Sequence, residues 1–495
     1  MGTVDSRLIA LDAATGQACQ AFGDAGTVEI DPGMDLAWPG EFQISSPPVV
    51  ANGVVIIGSA ISDNKRVNAP KGTVRAFDAR TGAAKWDFNP VARGAAELPG
   101  NWPDGAADQT GHANVWAPMS VDEARHMVFL PTSSPSPDFF GGLRKGDNRY
   151  ANSVVALDSD TGAVIWHFQT VHHDVWDYDV PAQPTLVTLT RDGRDVPAVV
   201  QVTKTGFVFV LNRETGEPIF EVVETPVPQG GVAGEYLSPT QPMPVAPPPL
   251  VPQKLDLGDV WGVTPIDRAM CRDRLSAFRN EGLFTPPSLE GTIMYPFTGG
   301  GANWGGMAFD PATQTMYVNT NRQIHLITLI PADQYAAAKE AEPNMEISEQ
   351  APAPYAMRRE LVMSPLGLPC APTPWGMLHA VDLTTGTIKW ETVLGTVRDL
   401  APVPIPWKIG TPAFGGPVVT SSGLVFIAAA MDDYLRAFDA ASGEELWKGR
   451  LPAGGQATPM TYEWQGRQYV VVAAGGNGRV TTTLGDHVVA FALPE

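Results

Sequence analysis

The sequence predicts an all-β fold of sheets stacked around an axis, a β-propeller. Three observations predict it: a hairpin-turn motif recurs along the chain, the composition is that of a turn-rich cored protein, and the last segment is a strand. Of 495 residues, 44% are hydrophobic and only 17% charged, with 50 glycines and 46 prolines. That balance suits a large core connected by many tight turns. The closing run His487 to Ala492 reads as a strand that seals a ring against its first blade.

The motif is an apolar strand, then Asp or Asn, two residues, Thr or Ser with Gly, and usually a Trp four residues later. It occurs at Leu11-Asp12 to Gly16, Phe77-Asp78 to Trp86, Leu157-Asp158 to Trp166, Leu211-Asn212 to Phe220, Val381-Asp382 to Trp390 and Phe438-Asp439 to Trp447. The Asp side chain bonds backbone N–H groups of its own turn, Gly supplies a positive φ, and the flanking Val, Leu, Phe and Trp suit a strand pair. One unit takes about 50 to 80 residues, and a gap of about 170 between Gly216 and Gly386 hides degenerate units. Trp304 to Asp310 followed by Thr315 to Val318 is one of them. Short sheets of this kind bury both faces only by stacking, in a ring or a solenoid, and the closing strand favours the ring. The Pro-rich tract at about 226–252 and the segment 331–372, with helix-forming Tyr335 to Glu342, read as surface insertions in one domain spanning 1–495.

Acidic residues outnumber basic ones by 53 to 33, so the net field repels phosphate backbones and argues against nucleic acid as a partner. The longest apolar runs, Leu424 to Ala430 and Tyr469 to Ala474, fall far short of the roughly 20 residues needed to cross a bilayer. Met1 to Arg7 has none of the features of a signal peptide. Cys19, Cys271 and Cys370 lack metal-site spacing; a Cys271–Cys370 disulfide is open to them, with Cys19 left over.

Propellers carry their chemistry on loops. The richest loop is His172-His173-Asp174-Val175-Trp176-Asp177-Tyr178-Asp179, with three carboxylates and two histidines in eight residues. Adjacent histidines on a strand face opposite ways and do not share an ion. A carboxylate-centred site is the functional reading; a solvated turn with Trp176 and Tyr178 packed beneath it is the structural one.

The stretch Gln169 to Pro184 resembles the catalytic loop of the membrane-bound quinoprotein dehydrogenases of the glucose, quinate and shikimate family, which use pyrroloquinoline quinone (PQQ). Asn114 to Pro118, Lys204 to Gly206, Phe284 to Ser288 and Leu451 to Met460 match the same family in order. The resemblance implies an eight-bladed propeller with PQQ over its channel beside Ca2+ or Mg2+, oxidising the hydroxyl of glucose, quinate, shikimate or a polyol and passing electrons to ubiquinone. It places the general base at Asp177 and cofactor contacts at Trp116, the floor, Lys204 and Asn319. The cation ligands it implies are Asp63 and Asn64, with a further one from Ser134 or Ser136. It also implies the periplasmic face of the bacterial inner membrane.

Two departures matter. Relatives begin with transmembrane helices and a first propeller segment, so the resemblance makes this chain N-terminally truncated, with its membrane tether and the partner of Cys19 in the missing part. Asn477 stands where glucose-oxidising relatives often carry histidine, which keeps quinate and polyols open beside glucose. The rival from another class is a non-catalytic propeller that scaffolds protein assembly; the repeats suit it, but it gives no reason for the matched site residues.

Overall fold

The structure, a computed structural model, describes residues 1–91, 101–400 and 407–493. Strands dominate. Among the described residues five sheets have four strands and two have three, every pairing within them being antiparallel. Six sheets are meanders that follow one another along the chain, with inner-to-outer strand orders beginning at Val49–Ala51, Ser120–Asp122, Thr185–Arg191, Met307–Asp310, Val418–Val419 and Met460–Trp464.

Period-2 alternation glues each sheet to both neighbours. In the strand Met127–Pro131, Val128 and Leu130 join Val54, Ile56, Val74 and Ala76 of the preceding sheet. Met127 and Phe129 of the same strand join Val199, Phe209 and Leu211 of the following one. The pattern continues with Val200, Val202 and Val210 against Met316 and Val318, then Leu378 and Ala380 against Val425 and Ile427. These faces bury because every other residue is Val, Ile, Leu, Phe or Ala.

All six predicted turns form as expected. Asp158 Oδ1, for example, accepts from Asp160 N (3.1 Å), Thr161 N (2.8 Å) and Thr161 Oγ1 (2.7 Å), with Gly162 at φ +73°. The tryptophan of the motif explains itself only in three dimensions. Trp166 Nε1 donates to Arg213 O in the next sheet's turn at 3.0 Å, and a Cβ on Gly216, whose φ is +75°, would lie 2.6 Å from the Trp166 ring. Trp86 donates likewise to Ser159 O and Trp390 to Ala440 O, each at 3.0 Å. Each of these three indoles therefore clasps the turn of the sheet that follows, whereas Trp447 packs on Phe491.

The long gap between turns holds the opening half of the sheet that ends in the Asp382 turn and, among the described residues, no further meander sheet. Asp310 caps its turn through Ala312 N (3.0 Å) and Thr313 Oγ1 (2.7 Å), and its strands Met307–Asp310 and Thr315–Asn321 join Gly376–Asp382 and Thr387–Val393. The rest is inserted: a hairpin Val222–Pro226 with Thr240–Pro244, the helix Pro265–Leu275, and a sheet of Thr292–Met294, His325–Pro331, Tyr355–Leu361 and Glu346–Ser348. The expected helix is present at Tyr335–Ala341. Cys271 on the longer helix is disulfide-bonded to Cys370, and Cys19 is free. The seal expected of the last strand is not formed: among the described residues His487–Ala492 pairs with Arg467–Ala474 alone, and Val488 is 77% exposed.

Candidate active site

The two ends of the sheets do different things. Met127 pairs with Asp158 at the capped turn, whereas Pro131 pairs with Val154 at the opposite end, where the loop 132–152 leaves. Lys204 lies in the hairpin closed by Val202 and Val208, again opposite the turn at Asn212. The matched residues therefore collect at the end away from the repeated turns.

The loop after Gln169 is buried rather than solvated. Asp174 organises it: Oδ1 accepts from Trp176 N (3.1 Å) and Oδ2 from Tyr178 N (3.0 Å), bracketing Asp177, whose φ is +60°. A non-glycine residue held there stores backbone strain, a common mark of functional loops. Trp176 and Tyr178 are 1% exposed and donate to Thr285 O and Pro296 O, each at 2.8 Å, while Phe284 packs edge-on against both rings. The matched Phe284 to Ser288 segment thus supports this loop from below. The two histidines part company. His172 bonds Gln169 and half-exposed Glu224, whereas His173 is buried with Nδ1 2.6 Å from Gly146 O.

Asp177 itself sits in a charged network. Lys204 Nζ donates to Asp177 Oδ1 and Asp177 O at 2.8 Å and to Asp179 Oδ2 at 3.0 Å. Arg359 Nη1 donates to Asp177 Oδ2 at 3.1 Å and is held by Thr298 Oγ1, while its other nitrogens clamp Glu346. Asp179 also accepts from Trp116 Nε1 (3.1 Å) and from Ser134 N (2.7 Å). Burial raises the Asp177 carboxyl above its ordinary value, against the pull of Lys204 and Arg359. Burial disfavours the Lys204 cation, but Asp177 and Asp179 outweigh it and hold it protonated. The Lys204 hairpin is packed too tightly for side chains beside it: Gly300, at φ +78°, would place a Cβ 2.6 Å from Lys204 Cα.

Asp63 lines the same site. Solvent reaches it although protein crowds it, and burial, then the Asp138 carboxylate, raise it to about 6 while His112 pulls the other way. Ligand atoms of Asp63, His112 and Asp138 lie within 4.8 Å of one another. Neighbouring Asn64 is buried, and its Oδ1 is without a hydrogen-bond partner among the described residues, as are Asp138 Oδ2 and His112 Nε2. Buried polar atoms left unpaired call for an explanation, and this donor set fits a divalent cation.

The serines stand differently from the expectation. Ser134 Oγ donates to Asp174 Oδ2 and accepts from Asn152 Nδ2 (3.0 Å). Ser136 Oγ donates to Val67 O and accepts from Gly111 N (2.9 Å). Both hydroxyls tie loops together, and the same loop reaches the cation donors through Asp138 instead. Asn319 is buried in its strand and donates to Ala413 O at 2.8 Å. Asn477 spends its oxygen on Arg479 N (2.9 Å). Arg359, His112 and Asp138 carried no signal in the sequence analysis; the last two flank matched motifs, whereas Arg359 lies inside a presumed surface insertion.

A propeller with a buried carboxylate between two cations and unpaired cation donors at one loop end is a propeller with a built site for charged ligands there. The family described as "PQQ: Glucose/ethanol/alcohol dehydrogenase, beta-propeller domain" matches residues 1–470, and the chain belongs to it. It is 40% identical over 503 residues to "Quinoprotein glucose dehydrogenase" of Escherichia coli (strain K12), covering 99% of this chain and 63% of that protein. It is 43% identical over 513 residues to "Probable quinate dehydrogenase (quinone)" of Xanthomonas campestris pv. juglandis, covering 100% and 64%. The chain thus spans less than two thirds of the length of these relatives. The quinohemoprotein alcohol dehydrogenase of Comamonas testosteroni superposes with a TM-score of 0.67 at 23% identity, over 99% of this chain and 64% of the other, a likeness of fold.

Proposed function

We propose that the chain is the PQQ-binding propeller, completed to eight blades in the whole protein, of a dehydrogenase that oxidises a hydroxyl of a small alcohol or sugar. The observation that carries this reading is the Asp177 carboxylate held between Lys204 and Arg359. Asp177 takes the proton of the substrate hydroxyl, a task for a positioned carboxylate. Lys204 and Arg359 oppose the upward push of burial on it and aim it. The Trp116 ring, fixed through Nε1 by Asp179, gives a planar cofactor a floor of large contact area. Protonated Lys204 would meet the oxygens of such a cofactor, with Asn319 as a further contact. PQQ, when bound, supplies the acceptor for the electron pair and hydrogen leaving the substrate carbon. Asp63 and Asn64 hold the cation, Ca2+ or Mg2+ by the family resemblance, through hard oxygen donors.

The substrate is one of glucose, quinate or shikimate, or a polyol. Ubiquinone as acceptor, and tethering at the periplasmic face of the inner membrane, belong to the same proposal for the whole protein. The test adds PQQ and Ca2+ to full-length apoprotein and follows cofactor absorbance and dye-linked oxidation of glucose, quinate, sorbitol and glycerol. Saturable binding with oxidation of one class is expected. A folded protein that binds no PQQ would leave the scaffold reading in its place.

A further inference from the structure

Resting on that reading of the cation site, we propose that His112 supplies a nitrogen ligand and Asp138 a second carboxylate, so that the site prefers a transition ion that accepts nitrogen beside carboxylates, such as Mn2+, to Ca2+. The convergence of Asp63, His112 and Asp138 donor atoms within 4.8 Å is the first observation. The second is independent of it: His112 and Asp138 are each 2% exposed, and His112 Nε2 and Asp138 Oδ2 have no hydrogen-bond partner among the described residues. The nearest approach of the two, His112 Nδ1 to Asp138 Oδ1 at 3.8 Å, is too long for a hydrogen bond. They are spaced to share something between them.

The backbone is built to present the imidazole. His112 and Ala113 both have positive φ, +56° and +53°, a conformation unfavourable for residues with a Cβ. It is held by His112 N to Pro70 O (2.9 Å), Gly72 N to His112 O (2.9 Å) and Ala113 N to Ser134 O (2.9 Å). Ser136, through Gly111 N and Val67 O, locks the same corner. No room is left for a side chain at Gly72, whose Cβ would lie 2.3 Å from Asn114 Cα. Strain maintained by this many bonds is what an orienting device requires.

The chemical consequence follows from the donor types. Ca2+ and Mg2+ take oxygen ligands almost exclusively. An imidazole added to two carboxylates and an amide oxygen moves the site toward ions that accept nitrogen, among which Mn2+ also tolerates a carboxylate-rich set.

The test uses full-length protein with PQQ, stripped of metal and titrated with Mn2+ or Ca2+. Bound metal is counted by elemental analysis, and pulsed EPR reads nitrogen coupling to Mn2+. One ion per chain is expected, with 14N modulation from a directly bound imidazole and a Mn2+ preference over Ca2+ on the order of tenfold. In His112→Asn, which tolerates the left-handed backbone, the imidazole modulation disappears and the preference collapses; in Asp63→Asn the ion is lost. Mn2+ bound at the Asp63-dependent site of the unmutated protein without nitrogen coupling overturns the proposal and leaves the dehydrogenase reading intact, whatever the variants do. PQQ binding without any Asp63-dependent ion overturns both the ligand proposal and the cation part of that reading.

Discussion

Asp177→Asn separates the base from the pocket that holds it. Asp177 Oδ1 accepts from Lys204 at 2.8 Å and Oδ2 from Arg359 at 3.1 Å. An amide keeps one acceptor, so one cation meets an N–H instead. Losing one buried charge-assisted bond costs about 1.5–3 kcal/mol of stability. Lys204 retains Asp179 at 3.0 Å, so the hairpin and the Trp116 anchor persist. Loss of a positioned general base lowers the rate by about 10²- to 10⁴-fold, equivalent to about 3–5 kcal/mol of barrier. The expected result has three parts: an unfolding free energy in urea lowered by the first amount, PQQ affinity by absorbance titration within about tenfold, and dye-linked turnover reduced by at least about 10²-fold. Turnover within about tenfold of wild type in a variant that binds PQQ would refute the assignment of the base. Asp179→Asn removes the same charge beside Lys204 but loosens Trp116 and Ser134 N, so its deficit falls on cofactor affinity.

Three further outcomes are expected. Arg359→Met removes a cation that lowers the Asp177 carboxyl; because the base works ionised, the acid limb of kcat/KM moves to higher pH, and an unmoved limb would exclude coupling between the two. Gly216→Ala forces a Cβ against Trp166 at φ +75° and lowers stability by about 1–3 kcal/mol in thermal melts; an unchanged melt would mean the indole does not clasp the turn. His173 is lowered to about 3 by burial and then by Arg144. The unfolded chain gains that proton below about 6.5, so its contribution is whole above this pH and is lost as pH falls toward 3. His173→Phe should therefore show about 1 kcal/mol less acid sensitivity between pH 6.5 and 5.5 than wild type in urea unfolding. Identical slopes would show that His173 is not held neutral.

What the sequence revealed was local. An Asp-x-x-Thr-Gly turn is satisfied within its own residues, so its hydrogen bonds are implied by its spelling. The role of the motif tryptophan was not, because its partner carbonyl belongs to another repeat. Asp177 and Lys204 were singled out through short segments that match the family, and the structure brings them into hydrogen-bond contact. Arg359 escaped notice because it meets Asp177 across 182 residues and lies in a segment read as an external insertion. Only strand pairing, Ile327 opposite Arg359, carries it inward. Ser134 and Ser136 show the converse: the resemblance suggested ligands, and what the sequence left unseen is that each hydroxyl donates to a buried neighbour, Asp174 or the Val67 carbonyl.

The clasp of each indole on the next turn has a bearing on how such a protein can change. The clasps are made at one end of the strands and the reactive groups at the other, so the fasteners and the tools do not share residues. The loops 132–152, 170–184 and 299–303 carry packing of their own at Phe139, Trp176, Tyr178 and Gly300, so only their outward positions are free to vary. A library confined to those positions would leave the clasps intact, whereas one that strays into the clasps would loosen sheet from sheet.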